Sequence, residues 1–190
     1  MTEIFLYPTE TVYALGVNPL DKAAWMALCQ LKNRPSTQPV SWLVRDIDDI
    51  KRYAVVGEVA TRLVDVCLPG PVTLVLPAKK TVPDWAQSAG GMVSFRMSPD
   101  PQAQELIARY SKEHDAPLTC TSANIHGLPT EPDVAGVLSQ FGSAANSITT
   151  TIDGGSRIEM PSTVVAIEND QLRILRVGPV SAEKLAAALG

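Results

Sequence analysis

Residues 7–16 read YPTETVYALG, directly after the apolar run "IFLY" of residues 4–7. The run has the composition of a buried strand, yet its carboxyl end is crowded with hydroxyl-bearing threonines and tyrosines, a proline and one carboxylate. Side chains of that kind at a strand end are costly to bury unless each polar atom finds a partner. In α/β folds, the carboxyl ends of strands are also where ligands are commonly held. The stretch therefore sets two questions: what sheet this strand opens, and what its hydroxyls are for.

Outward from it, strand and helix patterns alternate, which predicts a mixed α/β architecture. "EIFLY" (3–7) reads as a strand and "DKAAWMALCQLK" (21–32) as a helix capped by Asp21, with Trp25, Leu28 and Leu31 on one face. "VSWLVR" (40–45) is a strand, "IDDIKRYA" (47–54) a short helix, and "GEVATRLVDVCL" (57–68) a helix stopped by Pro69-Gly70-Pro71. "VTLVLPA" (72–78), "MVSFRM" (92–97) and "PLTCTS" (117–122) are strands, with the amphipathic helix "DPQAQELIARYSKE" (100–113) between the last two. Thr130 and Pro132 fit the opening of a helix over "EPDVAGVLSQF" (131–141). The β-branched "SITTTID" (147–153), "STVVAIE" (162–168) and "LRILRVG" (172–178) are strands, the last two joined by Asn169-Asp170, and Ser181 caps a closing helix "AEKLAAAL" (182–189).

The totals narrow the field. In 190 residues, 45% are hydrophobic and 19% charged, which suits one ordinary globular domain rather than a disordered chain. Cys29, Cys67 and Cys120 form no C-x-x-C pair, and His114 and His126 have no ligand-like spacing, so neither a disulfide frame nor a protein-built transition-metal site is expected. "MTEIFLYPTE" lacks a basic n-region and a long apolar core, so a cytoplasmic protein without membrane attachment is expected. A net charge of -4 argues against a surface given over to nucleic acid, while leaving a local basic cleft open.

Lys32 and Arg34 fall where the first helix gives way to "NRPSTQP", and are expected to be exposed. They read either as a solvated helix end or as a fork and a point charge able to hold a polyphosphate. "TSANIHGLPT" (121–130) is either a turn using local backbone bonds or a ligand-binding strand end. Glu10 orients Arg34 or Lys32, or faces solvent. Trp25, Trp42 and Trp85 read as packing residues rather than base-stacking platforms. No G-x-x-x-x-G-K-[ST] occurs.

Taken in order, "YPTETVYALG", "LKNRP", "PGPVTLVL", "FRM", "TSANIHGLP", "PSTVV" and "ILRVG" resemble the YrdC-like family over about residues 5 to 180. The resemblance implies a twisted, mixed sheet with flanking helices around a concave basic cavity. It implies the threonylcarbamoyl-AMP synthase reaction, a nucleotidyl transfer from L-threonine, bicarbonate and ATP with magnesium to threonylcarbamoyl-adenylate and pyrophosphate. The adenylate would serve downstream proteins that modify tRNA. By matching positions, Thr9, Tyr13, Arg96 and Ser162 would meet threonine. Lys32 and Arg34 would grip the phosphates as the catalytic pair, and Ser122, Asn124 and Arg176 would contact the nucleotide. Family members described as binding double-stranded RNA supply the alternative, a tRNA- or RNA-binding module without turnover.

Some blocks depart from the family pattern: "YALG" for "YGLG", "KNRP" for "KGRP", "SANIHG" for "SANISG", and no histidine in "PVSWLV". The chain also opens almost at the first strand, where relatives carry a further helix. Another element is then expected to cover that face, or an apolar patch stays exposed, with dimerisation or lower stability as the outcome.

Overall fold

A computed structural model describes residues 2–189. One mixed sheet contains all nine strands of the described residues: β1 (Phe5–Tyr7), β2 (Ala14–Gly16), β3 (Ser41–Leu43), β4 (Val72–Pro77), β5 (Met92–Arg96), β6 (Leu118–Ser122), β7 (Thr150–Thr151), β8 (Thr163–Glu168) and β9 (Gln171–Arg176), in the order β7-β1-β2-β6-β3-β5-β4-β8-β9. Pairs β1/β7, β3/β5 and β4/β8 are parallel, and the others antiparallel. The helices are α1 (Lys22–Leu31), α2 (Ile47–Tyr53), α3 (Glu58–Cys67), α4 (Pro101–His114), α5 (Val134–Phe141) and α6 (Ala182–Leu189).

The helix ends follow their capping chemistry. Asp21 Oδ1 accepts from the Ala23 and Ala24 amides, and Asp100, followed by Pro101, accepts from Gln102 and Ala103. α5 opens later than Thr130 or Pro132 suggested, because Asp133 is the residue whose carboxylate takes the Gly136 amide. Asn169 and Asp170 both adopt left-handed φ (52° and 55°), the geometry of a tight two-residue hairpin turn.

Two strand assignments change. β2 has too few residues to show alternation, and its inclusion between β1 and β6 is a tertiary effect. "SITTTID" pairs only at Thr150–Thr151, because β7 lies at the sheet edge and a 3-10 helix (Gly142–Ser147) occupies the approach to it.

The two faces of the sheet differ. One face is closed by Trp25 and Leu28 from α1, Ile50 and Tyr53 from α2, Leu63 from α3, Val137 and Phe141 from α5, and Leu185 from α6, packed on strand residues such as Leu6, Leu15, Trp42, Leu74 and Phe95. On the other face, α4 lays Ala103, Leu106, Ile107 and Tyr110 over Phe5, Tyr7, Ala14, Leu43 and Leu118. The opening strand is thereby covered, and Ile4, Phe5, Leu6 and Tyr7 are all buried.

Beyond α4 that second face is bare. The pairing places Cys120, Ser41, Ser94, Val75, Ala166 and Arg173 in one transverse row across β6, β3, β5, β4, β8 and β9. All six line a hollow of about 1000 Å³. Small side chains in that row leave the space that leucines and tyrosines fill under α4. A register irregularity falls at Val164/Val165, beside the hollow that Val164 lines. Among the described residues no helix is long and apolar enough to cross a membrane.

Candidate functional site

The YPTE stretch forms the loop between β1 and β2, and its hydroxyls are largely spent on the loop itself. Thr9 Oγ1 donates to the Val12 carbonyl (2.7 Å) and accepts from the Thr11 and Val12 amides. The Tyr13 hydroxyl accepts from the Gly154 amide (2.9 Å) and lies 2.9 Å from the Gly155 carbonyl. Arg157 adds a clasp, donating to the Thr9 carbonyl (2.8 Å) and to Asp100 Oδ2 (2.8 Å). Thr9 and Tyr13, expected in the amino-acid pocket, therefore stand one layer behind the hollow, where they shape the loop that presents Thr11 and Val12 to it.

Arg96 rises from the end of β5 into the hollow and is only 6% exposed. Its Nη2 donates to Glu10 Oε1 and lies 3.5 Å from Thr11 Oγ1, while its Nε is buried without a hydrogen-bond partner among the described residues. Glu10 thus pairs neither with Lys32 nor with Arg34 and is not turned to solvent. β5 and the YPTE loop converge, which no local pattern in the sequence encodes.

The end of α1 supplies the second group. Asn33 adopts φ 49°, which turns the chain so that the Arg34 amide reaches back to the Cys29 carbonyl (3.0 Å). This is the position where the family pattern commonly has glycine, and asparagine is among the few residues that tolerate the left-handed region.

Lys32 is not exposed as its loop position suggested: it is 2% exposed. The chain leaving β6 folds over it, and its Nζ donates to the Ser122 carbonyl, the Asn124 carbonyl (2.8 Å) and Asn124 Oδ1 (3.2 Å). Burial, with the neighbouring Arg34 charge, pushes the Lys32 ammonium down to about 7. Lys32 and Asn124 sit behind the hollow's wall, whereas Arg34 and Ser122 line it. Arg34 Nη2 donates to the Gln38 (2.9 Å) and Pro39 (3.1 Å) carbonyls, and its Nε is buried without a partner among the described residues. Burial also lowers the Arg34 pKa.

The third group comes from β8 and β9. Ser162, 2% exposed, shares a 2.7 Å hydrogen bond with Thr73 Oγ1. Arg176 clamps the Ser162 carbonyl through Nε (3.1 Å) and Nη2 (2.8 Å), and its pKa is lowered by burial and then by Arg96. Arg34, Arg96, Ser122, Ser162 and Arg176, all singled out in the sequence, thus line one hollow, joined by Thr11, Thr73, Ser41, Ser94 and Arg173, which were not. Ser41 and Ser94 could have been found from period two, since Ser41 is the polar residue of SWL and Ser94 alternates with Val93 and Phe95, on the same face as Arg96; in the structure they share a 3.2 Å hydrogen bond. Trp25 and Trp42 are fully buried and Trp85 packs against the core, as packing residues do.

Four guanidinium groups, those of Arg34, Arg96, Arg173 and Arg176, line one hollow, and Arg34 and Arg96 each keep a buried Nε without a partner among the described residues, an arrangement suited to an anion. Hydroxyls of Thr11, Ser122 and Thr73 add neutral polar groups suited to a small polar ligand.

Comparisons with known proteins identify the family that has this fold. The family described as Sua5_yciO_yrdC, telomere recombination, matches residues 2–178. A Shigella flexneri protein named threonylcarbamoyl-AMP synthase is 34% identical over 144 residues, 74% of either chain. A Pyrococcus abyssi protein of the same name is 31% identical over 190 residues, 99% of this chain and 54% of its own, so the present chain spans about half of that relative. The crystal structure of Pyrococcus abyssi Sua5 complexed with L-threonine superposes with a TM-score of 0.87 at 32% identity, covering 99% of this chain and 54% of that one. Escherichia coli YciO superposes at 0.82 with 25% identity, covering 97% and 87%. On the sheet order, the hollow and these matches together, the chain belongs to the Sua5/YciO/YrdC family.

Proposed function

We propose that the chain is a threonylcarbamoyl-AMP synthase, joining L-threonine, bicarbonate and ATP to give threonylcarbamoyl-adenylate and pyrophosphate. The observation that carries this reading is the convergence of Arg34, Arg96 and Arg176 on the one hollow of the bare half-sheet. The relatives that bear the synthase name, and the threonine complex of the Pyrococcus abyssi protein, support the same substrates.

In the proposed sequence the threonine amine loses a proton and adds to the carbon of bicarbonate, water leaves, and a carbamate forms. A carbamate oxygen then attacks the α-phosphorus of ATP, and the bond to the bridging oxygen breaks with its electron pair leaving on pyrophosphate. The step is a nucleotidyl transfer. It needs charge neutralisation and alignment more than a strong protein base. Arg34 would meet the phosphates, Arg96 the amino-acid carboxylate with Ser162 beside it, and Arg176 and Ser122 the nucleotide. Lys32 would act by fixing the Ser122–Asn124 turn, and Thr9 and Tyr13 by fixing the opposite loop. Magnesium would enter with ATP on the phosphate oxygens, since the only carboxylate in the lining is Glu168, on β8 next to the Asn169-Asp170 hairpin turn. The adenylate would be consumed by proteins that modify tRNA, in the cytoplasm.

The test is pyrophosphate release by the purified chain with ATP, magnesium, bicarbonate and threonine, each omitted in turn. Release that requires all of them supports the reading. Salt-sensitive binding of double-stranded RNA or tRNA with no turnover would replace it with the binding module.

A further inference from the structure

Glu10 is absent from the lining of the hollow, yet it is the counter-charge to a group that lines it. Its Oε1 accepts from Arg96 Nη2, and its Oε2 accepts from the Ser98 hydroxyl. Ser98 is itself fixed: its Oγ accepts from the Asp100 amide (3.2 Å) and its carbonyl from Gln104 Nε2 (2.5 Å), both at the start of α4. The carboxylate therefore ties the YPTE loop, the end of β5 and the head of α4 together at one guanidinium.

Both partners are largely withdrawn from water, with side-chain exposures of 7% for Arg96 and 16% for Glu10. A guanidinium buried to that degree without a counter-charge would be strongly disfavoured. Holding it by Nη2 leaves Nε–H uncommitted, and that atom is buried without a partner. An unpartnered donor in such a setting is suited to a ligand acceptor.

We infer that Glu10 is a positioning residue, which holds the Arg96 guanidinium in the orientation that leaves its Nε–H for the carboxylate of the amino-acid substrate. The inference rests on the functional reading above. It assigns the lone acid of the YPTE stretch a task that concerns the amino acid and not ATP. Glu10 touches no substrate in this scheme and acts only through Arg96.

The experiment is steady-state pyrophosphate release by the full chain, varying threonine and ATP separately, for Glu10→Ala, Glu10→Gln, Arg96→Ala and the Glu10→Ala/Arg96→Ala double variant. Glu10→Ala is expected to raise the threonine KM roughly 10- to 100-fold, the scale of a misplaced binding group, with the ATP KM moving less than about threefold. Glu10→Gln keeps an acceptor for Nη2 and should restore the threonine KM to within about fivefold of the wild type. In the Arg96→Ala background the Glu10 change should add nothing. An unchanged threonine KM in Glu10→Ala, an equal rise for ATP, a Gln variant as impaired as the Ala variant, or full additivity in the double variant each overturns the role.

If Glu10→Ala does not fold, Ser98→Ala releases the other carboxylate oxygen. A threonine KM about threefold higher supports the role, and an unchanged one contradicts it. A wild-type chain that releases no pyrophosphate with threonine counts against the functional reading instead. The positioning role is then decided by the crystal structure of Glu10→Gln beside that of Glu10→Ala: Arg96 kept by Gln and displaced by Ala supports it, and Arg96 unmoved in both overturns it.

Discussion

The same face of the same sheet is a hydrophobic core at one end and an arginine-lined hollow at the other. Under α4, outward-turned strand residues are Phe5, Tyr7, Leu43 and Leu118, closed over by Leu106, Ile107 and Tyr110. Further across the sheet, on β3, β5, β4 and β8, the positions on this face are Ser41, Ser94, Thr73 and Ala166, and no helix of the described residues covers them. Alternation decides which residues turn to this face in both halves. Side-chain size and the reach of one helix decide whether the face becomes packing or a site.

Exchanging the characters of the two halves tests this most strongly. Leu43→Ala should cost about 2–5 kcal/mol in denaturant unfolding, as a truncation in a closed core does. Ser94→Leu, on the same sheet face one strand over, should cost far less stability yet reduce turnover roughly 10- to 100-fold by filling the hollow. Equal stability losses in the two variants would erase the distinction.

Next in size, Arg34→Ala should lower kcat/KM for pyrophosphate release by about 10²- to 10³-fold, the scale of removing one charge-stabilising donor. Its stability should change by less than about 1 kcal/mol, because Arg34 is partly exposed and its carbonyl partners are half-buried (Gln38) or exposed (Pro39), within reach of water. Unaltered turnover would rule out the phosphate-binding role proposed for Arg34.

A smaller effect concerns Lys32. Its pKa is pushed down to about 7 by burial first and Arg34 second. The unfolded chain, with lysine near its ordinary value of about 10.4, binds more protons between those two values. Stability is therefore expected to rise as pH increases from about 7 towards 10, the penalty being fully present below about 7. Lys32→Met should flatten that rise by roughly 1–3 kcal/mol in urea unfolding across the window, and an identical slope in both proteins would contradict it.

Smallest of all, Asn33→Gly at φ 49° should change stability by less than about 1 kcal/mol. A loss of several kcal/mol would mean that the Asn33 side chain supports the cationic turn in a way its backbone geometry does not reveal.

The sequence disclosed the helices and long strands well, because Asp21, Asp100 and the 3.6-residue apolar spacing are local signals. It disclosed the site unevenly. Arg34, Arg96, Ser122, Ser162 and Arg176 were legible through ordered motifs, and they do share one hollow. Thr9, Tyr13, Lys32 and Asn124 belong to the same motifs but stand behind the wall, since a motif marks a neighbourhood and not the direction of a side chain. Glu10 and Arg96 are 86 residues apart, and their pairing follows from β5 ending beside the YPTE loop. β2 was illegible for a similar reason: three residues form a strand only because β1 and β6 flank them.

The function proposed here requires the bare half-sheet to seat a triphosphate next to a small amino acid. The most direct measurement is incubation of the purified chain with ATP, magnesium, carbon-labelled bicarbonate and threonine, followed by mass identification of the labelled product. Label is expected in a threonylcarbamoyl-adenylate, formed in step with pyrophosphate and lost in Arg34→Ala. Unlabelled adenylate, or no nucleotide product with any amino acid tried, would contradict it.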